Sequence, residues 1–238
     1  MRADILKHFI EHDAELAPHA DYLTAISKPS VDITYATEAP EVHESRFGGQ
    51  PLLPKGFVWP THELGEYRFL GQINFAEIND SSGLLPKLGL LVLLYAYDDD
   101  GEIFWGDDGY VLAYYYPNID ELTLYPQAEI TPAKKLQFTS GVEIPRRKDL
   151  RQDWPFDTDA LYDLAELDGY SENYLLGYPF FYSLAYDPTP SDEWMSLLTI
   201  TSDETLDFLW HDGDMLMVFI EKAKLANADF SYLKADAG

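Results

Sequence analysis

One stretch near the start of the chain, residues 45–60, limits the choice of fold more than any other part of the sequence. It reads Ser-Arg-Phe-Gly-Gly-Gln-Pro-Leu-Leu-Pro-Lys-Gly-Phe-Val-Trp-Pro, with three glycines and three prolines. Glycine permits positive φ, whereas proline fixes φ and lacks a backbone donor, so this stretch cannot form a regular helix and makes a poor central strand. We therefore expect an ordered loop, pinned to a hydrophobic core by the apolar side chains of Phe47, Leu52, Leu53, Phe57 and Trp59.

The composition is typical of a folded protein rich in strands. Hydrophobic residues make up 46% and aromatic residues 15% of the 238 positions, which indicates a globular chain and not a disordered one. The 17 tyrosines and 13 phenylalanines favour strands. The absence of cysteine excludes disulfides, thiolate metal sites and cysteine nucleophiles.

The charge of the chain is strongly negative. It has 42 acidic against 16 basic residues, a formal net charge of −26 and a sequence pI near 4.3. Such a charge repels nucleic acids and anionic membranes and attracts a basic protein, although solubility alone is an alternative explanation. Because the sequence shows neither a signal peptide nor about 18 consecutive apolar residues, we expect a cytoplasmic protein.

The spacing of apolar residues predicts an N-terminal helix followed by antiparallel strands. The helix covers residues 4–27, where Pro18 either opens a second helix or breaks the first. Asp98–Gly101 ends in the Asp-Gly pair that is typical of a hairpin turn. The predicted strands are residues 31–37, 69–75, 90–97, 102–105, 110–116, 194–200, 206–210 and 215–221, with further short strands within 121–145. An acidic helix at 157–169 and a closing helix at 220–229 complete a β-rich α+β fold.

Two segments resemble each other, which suggests an internal duplication. Residues 69–74 precede a turn that contains Trp105, and residues 197–202 precede a turn that contains Trp210. We interpret residues 1–238 as one domain with two repeats, at about 45–145 and 146–238, packed against each other. Chance similarity between two strand–turn–strand units is the alternative.

The opening motif resembles a known family. Residues 45–49, Ser-Arg-Phe-Gly-Gly, followed by Pro51, Leu53-Pro54 and Trp59-Pro60, look like the signature of the YwqG-like family, a bacterial family of unknown function. Later segments resemble further landmarks of that family in the expected order: residues 69–74, 85–92, 176–179, the turn at Trp210 and residues 229–231. The resemblance runs from about residue 45 to residue 232. It implies a β-rich α+β fold and an association with bacterial toxin–immunity gene neighbourhoods.

The sequence departs from the family pattern in its second half. Thr199 and Thr201 stand where the family usually has glutamine and aspartate. The second tryptophan turn reads Trp-His-Asp-Gly-Asp at residues 210–214, where the family usually has Trp-Gly-Asp-x-Gly. If those polar residues line a shared pocket in the family, that pocket is altered in this protein.

Familiar catalytic and cofactor motifs do not explain the sequence. It contains no Gly-x-Ser-x-Gly elbow, no P-loop and no dinucleotide-binding glycine motif. His8 and His12, with Glu11, spell an inverted zinc-protease pattern, which we interpret as a solvated pair because nothing marks a third ligand. Residues 98–102 lack the spacing of an EF-hand and favour a hairpin tip over a cation site. The basic cluster within 146–151 favours a solvated loop over a phosphate site. We therefore predict no catalytic residue, no metal and no cofactor.

Seven polar and aromatic residues form the best candidate for a ligand-binding site: Arg46, Gln72, Asn74, Trp105, Asp107, Trp210 and Asp212. Tryptophan offers a flat face and one donor, and amides and carboxylates offer directional hydrogen bonds, so the set is suited to a small polar ligand or a peptide. In the structural alternative, the two aspartates cap their turns, the tryptophans belong to the core and Arg46 pairs with an aspartate.

Together these features predict an acidic binding protein, immunity-like, that neutralises a basic protein partner such as a toxin. One alternative is a binder of small polar ligands, or an enzyme of unknown reaction, with a pocket between the two repeats. The other is a scaffold without any ligand.

Overall fold

The computed structural model describes residues 1–126, 131–145, 154–167, 171–180 and 183–238. It is β-rich, with antiparallel sheets and an N-terminal helix, as the sequence predicts. Its strands are β1 (Lys28–Tyr35), β2 (Arg46–Gly48), β3 (Leu52–Pro54), β4 (Glu66–Asn74), β5 (Leu90–Tyr97), β6 (Val111–Tyr116), β7 (Leu122–Leu124), β8 (Ala133–Glu143), β9 (Asn173–Leu176), β10 (Trp194–Thr201), β11 (Met215–Glu221) and β12 (Lys234–Ala237).

Ten of these strands form one sheet in the order β12-β11-β10-β9-β1-β8-β2-β4-β5-β6, and β3 pairs with β7 separately. The central pair is β1 with β8, in antiparallel register from Lys28 opposite Glu143 to Tyr35 opposite Leu136. Outward from this pair, β8 is followed by β2, β4, β5 and β6, whereas β1 is followed by β9, β10, β11 and β12. The two halves of the sheet therefore have the same number of strands on either side of the centre.

The two ends of the sheet fold back onto each other and share one hydrophobic core. Tyr95 on β5 packs edge-on against Trp210, which precedes β11, with ring centroids 5.1 Å apart. Phe75, directly after β4, stacks on Phe230 ahead of β12 at 5.9 Å. Continuous apolar strands such as β5 and β11 are buried in this arrangement because both of their faces meet other apolar side chains.

The N-terminal region, predicted to be helical over residues 4–27 with an interruption or a second start at Pro18, contains two helices, and Pro18 lies in the turn between them. Helix α1 (Ala3–His12) ends where Asp13 adopts an extended conformation, and α2 (Ala20–Ile26) follows a 3₁₀ turn at Ala17–His19. The Asp13 carboxylate accepts the backbone N–H groups of Glu15 and Leu16, both at 2.8 Å, so it competes with the helical pattern. No helix in the described part of the chain is long and apolar enough to span a membrane.

Two predicted strands, 102–105 and 206–210, are wrong. In the first segment, the Asp98 carboxylate accepts the N–H groups of Glu102 and Ile103 at 2.5 and 3.4 Å, which holds the chain in a turn. In the second, a 3₁₀ turn at Glu204–Leu206 ends at Asp207, which has a φ of +57°. The Asp98 carboxylate and the Asp203 carboxylate, which accepts the Thr205 N–H at 3.0 Å, bond to nearby backbone groups and so favour turns over a strand ladder.

Other elements differ from the prediction mainly in length. The described parts of the region 121–145, residues 121–126 and 131–145, hold the short β7 and an 11-residue β8 instead of several short strands. The acidic segment forms a 3₁₀ helix at Thr158–Glu166, and the closing helix shortens to α3 (Lys222–Ala226) because β11 continues to Glu221. The sequence pattern predicted neither β9 nor β12. The basic cluster within 146–151 lies outside the described residues.

Candidate functional site

The Gly/Pro-rich stretch is pinned to the core, as predicted, and it contains the two three-residue strands β2 and β3. Strand β2 lies inside the ten-stranded sheet between β8 and β4, so the expectation of a poor central strand is wrong for Arg46–Gly48, where no proline interrupts the ladder. The later part of the stretch is less buried, since Lys55, Gly56 and Val58 are exposed. Phe47, Leu52 and Leu53 are buried, and Phe57 and Trp59 pack against the core. The close fit requires glycine at position 48, where φ is +67° and an added Cβ would lie 2.2 Å from the Pro132 carbonyl oxygen.

Arg46 is a buried cation held by the protein backbone. Its side chain donates to the carbonyl oxygens of Glu41, Val42 and Glu44 at 3.4, 3.0 and 3.2 Å, and to that of Gln50. Within the described residues no carboxylate lies in ion-pair distance of Arg46, so the expected pairing with an aspartate is wrong. The four carbonyl groups take the place of a counter-ion. Burial lowers the pKa of Arg46 to about 10, which leaves it charged at neutral pH.

Gln72 and Asn74 serve the same segment as Arg46. Gln72 donates through Nε2 to the carbonyls of Val42 and Glu44 at 3.2 and 2.9 Å and accepts the Leu52 N–H through Oε1 at 3.1 Å. Asn74 donates through Nδ2 to the His43 carbonyl at 3.0 Å, and its Oδ1 accepts the Ala76 N–H at 3.1 Å. The three polar side chains thus fix residues 41–44 against β2 and β4.

The other four candidate residues lie on two connections between strands. Asp107, between β5 and β6, accepts the Phe104 N–H at 3.1 Å and so caps its own turn. Trp210, between β10 and β11, is 1% exposed, and its indole N–H has no acceptor among the described residues. Trp105 is partly buried and packs edge-on against His211 at 5.5 Å. The Asp212 side chain is 95% exposed.

The seven candidates therefore form two groups. Arg46, Gln72 and Asn74 lie together beneath the segment 41–44, and the remaining four lie around the two turns. In the portions of the chain that the structure covers, no hydrogen bond or ring contact joins one group to the other. A common ligand for all seven residues stays a prediction.

A pocket of about 410 Å³ lies elsewhere, between β4, β5 and the segment that follows β10. None of the seven candidate residues lines it. Its walls are Trp59, Glu66, Tyr67, Arg68, Phe69, Tyr95, Tyr125, Pro126, Thr131, Leu206, Asp207 and Phe208. Sequence reasoning did not find this pocket because its walls come from several distant segments, and the only local signal is the run of aromatic residues around β4.

Aromatic side chains form the fixed walls of the pocket. Trp59 stacks on Tyr125 with ring centroids 5.1 Å apart, and its indole N–H donates to the Tyr67 carbonyl at 2.9 Å. The Tyr67 hydroxyl donates to the Gly109 carbonyl at 2.7 Å. Burial raises the pKa of Tyr95 to about 12 although Arg68 acts in the opposite direction, so this phenol is neutral at physiological pH.

The charged groups of the pocket are two carboxylates and one guanidinium. Arg68 Nε lies 2.8 Å from Glu66 Oε1, and an Nη of Arg68 lies 3.2 Å from Asp207 Oδ2. The guanidinium carbon of Arg68 lies 3.3 Å from the centre of the Tyr97 ring. Burial opposes the charge of Arg68, but the hydrogen bond to Glu66 and the negative charges around the guanidinium together outweigh it and raise the Arg68 pKa. An aromatic pocket with an excess of carboxylates suits a group with an apolar body and a cationic end.

No group of three or more histidine, aspartate or glutamate side chains among the described residues is arranged to hold a metal ion. His8 and His12 lie with ring centroids 3.9 Å apart, and His12 Nδ1 is 2.8 Å from the His8 carbonyl oxygen.

Comparison with known proteins gives one family. No curated protein is similar enough in sequence to match the chain. The model of a domain of unknown function, DUF1963, matches residues 45–235, which begin at the Gly/Pro-rich stretch and end within β12. Because this match covers most of the 238 residues, the chain belongs to the DUF1963 family.

Proposed function

We propose that this protein is an acidic, cytoplasmic, immunity-like binding protein that neutralises a basic protein partner such as a toxin. The observation that carries the proposal is a concentration of carboxylates at one end of the molecule. The connection 98–110 contains six acidic residues, the segment 202–214 contains five, and neither contains lysine or arginine. These two segments, called the acidic end below, touch where Trp105 packs against His211.

Part of this negative charge is not compensated within the fold. Asp108, Asp203 and Asp207 pair with Lys234, Lys134 and Arg68. By contrast, Asp99, Asp100 and Glu102 are exposed, and no ion pair to them occurs in the described part of the chain. Like charges held together produce a local potential that speeds association with a basic surface, whereas solubility requires only a dispersed negative charge.

Two finer proposals accompany this one. The first is that the chain is a YwqG-like member of the DUF1963 family, which the residues of the opening motif support. The link to toxin–immunity gene neighbourhoods depends on this proposal. An internal duplication is supported by the equal strand order on each side of the central β1–β8 pair. In that order, β10 and β11 correspond to β4 and β5. Trp210 lies between β10 and β11 and so corresponds to a position between β4 and β5, whereas Trp105 lies between β5 and β6.

The test of function uses the basic proteins encoded next to this gene. Each is purified and passed over the immobilised protein at about 0.1 M and about 1 M salt, where the Debye length is about 10 Å and about 3 Å. We expect at least one to be retained at low salt and released at high salt. A neighbourhood without a basic product, or retention of none of its products, contradicts the proposal.

Two triple variants with the same change in charge distinguish attraction by the acidic end from attraction by the net charge of the whole protein. One carries Asp99→Asn, Asp100→Asn and Asp212→Asn. The other carries Glu11→Gln, Glu15→Gln and Asp21→Asn near the N-terminal helices, with the same change in charge. We expect only the first to lose retention. Equal losses indicate attraction by net charge alone.

A second candidate function is binding of a small polar ligand, or an enzymatic reaction on one, as the alternative drawn from the sequence. The pocket of about 410 Å³ favours it, since its walls come from both halves of the sheet. Native mass spectrometry of the purified protein tests it. A bound small molecule that is present in the wild type and absent in Trp59→Ala supports this candidate. A measured mass equal to that of the chain alone opposes it.

A further inference from the structure

The pocket of about 410 Å³ has an apolar interior and a charged mouth. Tyr67, Phe69 and Tyr95 line it and are buried, which places them at its inner end. Glu66 and Asp207 line it as well, but their side chains are 63% and 78% exposed, which places the two carboxylates at the opening. Small-molecule sites have volumes of about 300–1,000 Å³ and combine apolar walls with a few polar groups, so this pocket has the form of such a site.

The aromatic walls of the pocket are fixed by contacts within the protein. Trp59 is held by stacking on Tyr125 and by the hydrogen bond from its indole N–H to the Tyr67 carbonyl. Tyr95 packs edge-on against Phe208, with ring centroids 5.8 Å apart. Walls that are already in place reduce the entropy that is lost when a ligand binds, and aromatic walls attract cations as well as apolar groups.

The groups at the mouth determine which ligand charge fits the pocket. Among the described residues that line it, Arg68 is the one basic side chain, against two carboxylates. The Arg68 guanidinium already donates to Glu66 at 2.8 Å and to Asp207 at 3.2 Å, and it lies on the ring of Tyr97. An anionic ligand must displace these carboxylates from Arg68. A cation instead meets one excess negative charge and exposed carboxylates that can each accept further hydrogen bonds.

We propose that the pocket binds a small organic amine, with its apolar body between the aromatic walls and its ammonium group at the carboxylates of Glu66 and Asp207. The methylene groups beside an ammonium group pack on apolar surface while the charge stays at the water-exposed mouth. This inference rests on the second candidate function, the binding of a small ligand in this pocket, and names the class of that ligand. It is independent of the proposed basic protein partner.

The test is an NMR titration of the full-length, ¹⁵N-labelled protein with three compounds of similar shape: phenethylamine, the neutral phenethyl alcohol and the anionic hydrocinnamate. We expect phenethylamine to shift the indole N–H signal of Trp59 and the amide signals of residues 66–69 and 206–208. We expect phenethyl alcohol to bind about tenfold more weakly, because it lacks the cation. Hydrocinnamate should bind more weakly still, because the carboxylates at the mouth repel it.

Asp207→Asn is the variant that tests the mouth of the pocket. Asparagine tolerates the left-handed conformation at this position, so the fold is retained, as an unchanged spectrum away from the site verifies. We expect this variant to bind phenethylamine about threefold more weakly and phenethyl alcohol as the wild type does, because only the cation uses the carboxylate. The matched control Glu204→Gln removes an exposed carboxylate that does not line the pocket, and we expect it to bind both compounds like the wild type.

The outcomes distinguish the ligand class from the functions proposed above. If phenethyl alcohol or hydrocinnamate binds in the pocket as tightly as phenethylamine, the inference is wrong and the second candidate function stands. Binding of none of the three compounds, or signal shifts confined to residues outside the pocket, also overturns the inference. An equal loss of affinity for phenethylamine and phenethyl alcohol in Asp207→Asn contradicts the contact between the ammonium group and this carboxylate. Retention of a basic protein is a separate result, because the triple variants that test it leave Asp207 unchanged.

Discussion

Arg46 and Gln72 lie directly opposite each other in the β2–β4 pair, and both donate hydrogen bonds to the carbonyl groups of Val42 and Glu44. The side chains of Arg46 and Gln72 thus bind the same backbone segment, residues 41–44. Nearby, the Ser45 hydroxyl accepts the Asn74 N–H at 2.8 Å, which ties the end of that segment to β4. These polar residues form a support for the Gly/Pro-rich stretch.

Loss of the buried guanidinium is expected to destabilise the fold. Arg46→Met removes four hydrogen bonds to carbonyl groups and takes from the Gln50 carbonyl its only donor among the described residues, so we expect the free energy of unfolding to fall by about 2 kcal/mol. Urea denaturation followed by far-UV circular dichroism measures this loss. Arg2→Met is the control, because Arg2 pairs with Asp4 on the surface and should change stability by less than about 0.5 kcal/mol. Equal midpoints for the two variants contradict the supporting role of Arg46.

Gly71 tests how closely β2 and β4 approach each other. An added Cβ would lie 2.6 Å from both the Arg46 carbonyl oxygen and Phe47 Cδ1, so Gly71→Ala must push the strands apart. We expect a loss of about 2 kcal/mol in the free energy of unfolding. Gly106→Ala is the matched control, since no atom lies within 4 Å of its added Cβ. A thermal transition of Gly71→Ala as high as that of Gly106→Ala speaks against this close packing.

The Lys134–Asp203 ion pair is expected to make stability depend on pH. Lys134 Nζ lies 2.6 Å from Asp203 Oδ2, joining β8 to the segment before β11. Burial acts to raise the pKa of Asp203, but the hydrogen bonds from Lys134 and Thr205 outweigh it and lower the pKa. Because the pKa of Asp203 is lower in the folded state than in the unfolded state, ionised Asp203 stabilises the fold at pH values above its unfolded pKa of about 3.9. This contribution is lost as the pH falls through the pKa of Asp203 in the folded state.

We therefore expect Asp203→Asn to lower the free energy of unfolding by about 1 kcal/mol at neutral pH. The difference from wild type should shrink as pH falls below about 4. Chemical denaturation at a series of pH values measures it, with the exposed Asp21→Asn as control. A difference that stays constant down to the lowest pH refutes the role of this ion pair.

Repulsion within the acidic end is expected to reduce stability at low salt. We expect the triple variant to have a higher free energy of unfolding than the wild type, by roughly a few tenths of a kcal/mol at about 0.01 M ionic strength. It carries Asp99→Asn, Asp100→Asn and Asp212→Asn. The gain should vanish at about 1 M, where screening removes the repulsion. Scanning calorimetry at both ionic strengths measures it. A gain that is independent of salt shows that repulsion is not its cause.

The strands that the sequence predicts best are those with continuous apolar patterns. Residues 90–97 and 215–221 form β5 and β11 with the predicted bounds, because burial on both faces requires such runs. The turns at 102–105 and 206–210 escaped prediction because capping by Asp98 and the left-handed Asp207 decide them, and apolar spacing does not report such bonds. The polar alternation of β12 is too short to stand out.

Part of the candidate site could likewise be predicted from the sequence, and part could not. Arg46 lies beside Gln72 and Asn74 because β2 and β4 are neighbours, and the structural alternative drawn from the sequence gave Arg46 an aspartate partner. The true acceptors are backbone carbonyl groups, which any residue type supplies and no sequence pattern marks. The aromatic pocket depends on contacts between distant segments, such as Trp59 with Tyr125, and so required the three-dimensional structure.

The most direct measurement of the proposed function is the dissociation constant between this protein and the most strongly retained basic product of the neighbouring genes. Calorimetric titrations at about 0.1 M and about 1 M salt compare binding with and without long-range electrostatics. We expect binding to weaken at least about tenfold at the higher salt, since attraction between opposite charges drives association. A dissociation constant that stays the same or decreases with salt contradicts the proposal that this acidic protein binds its partner through charge.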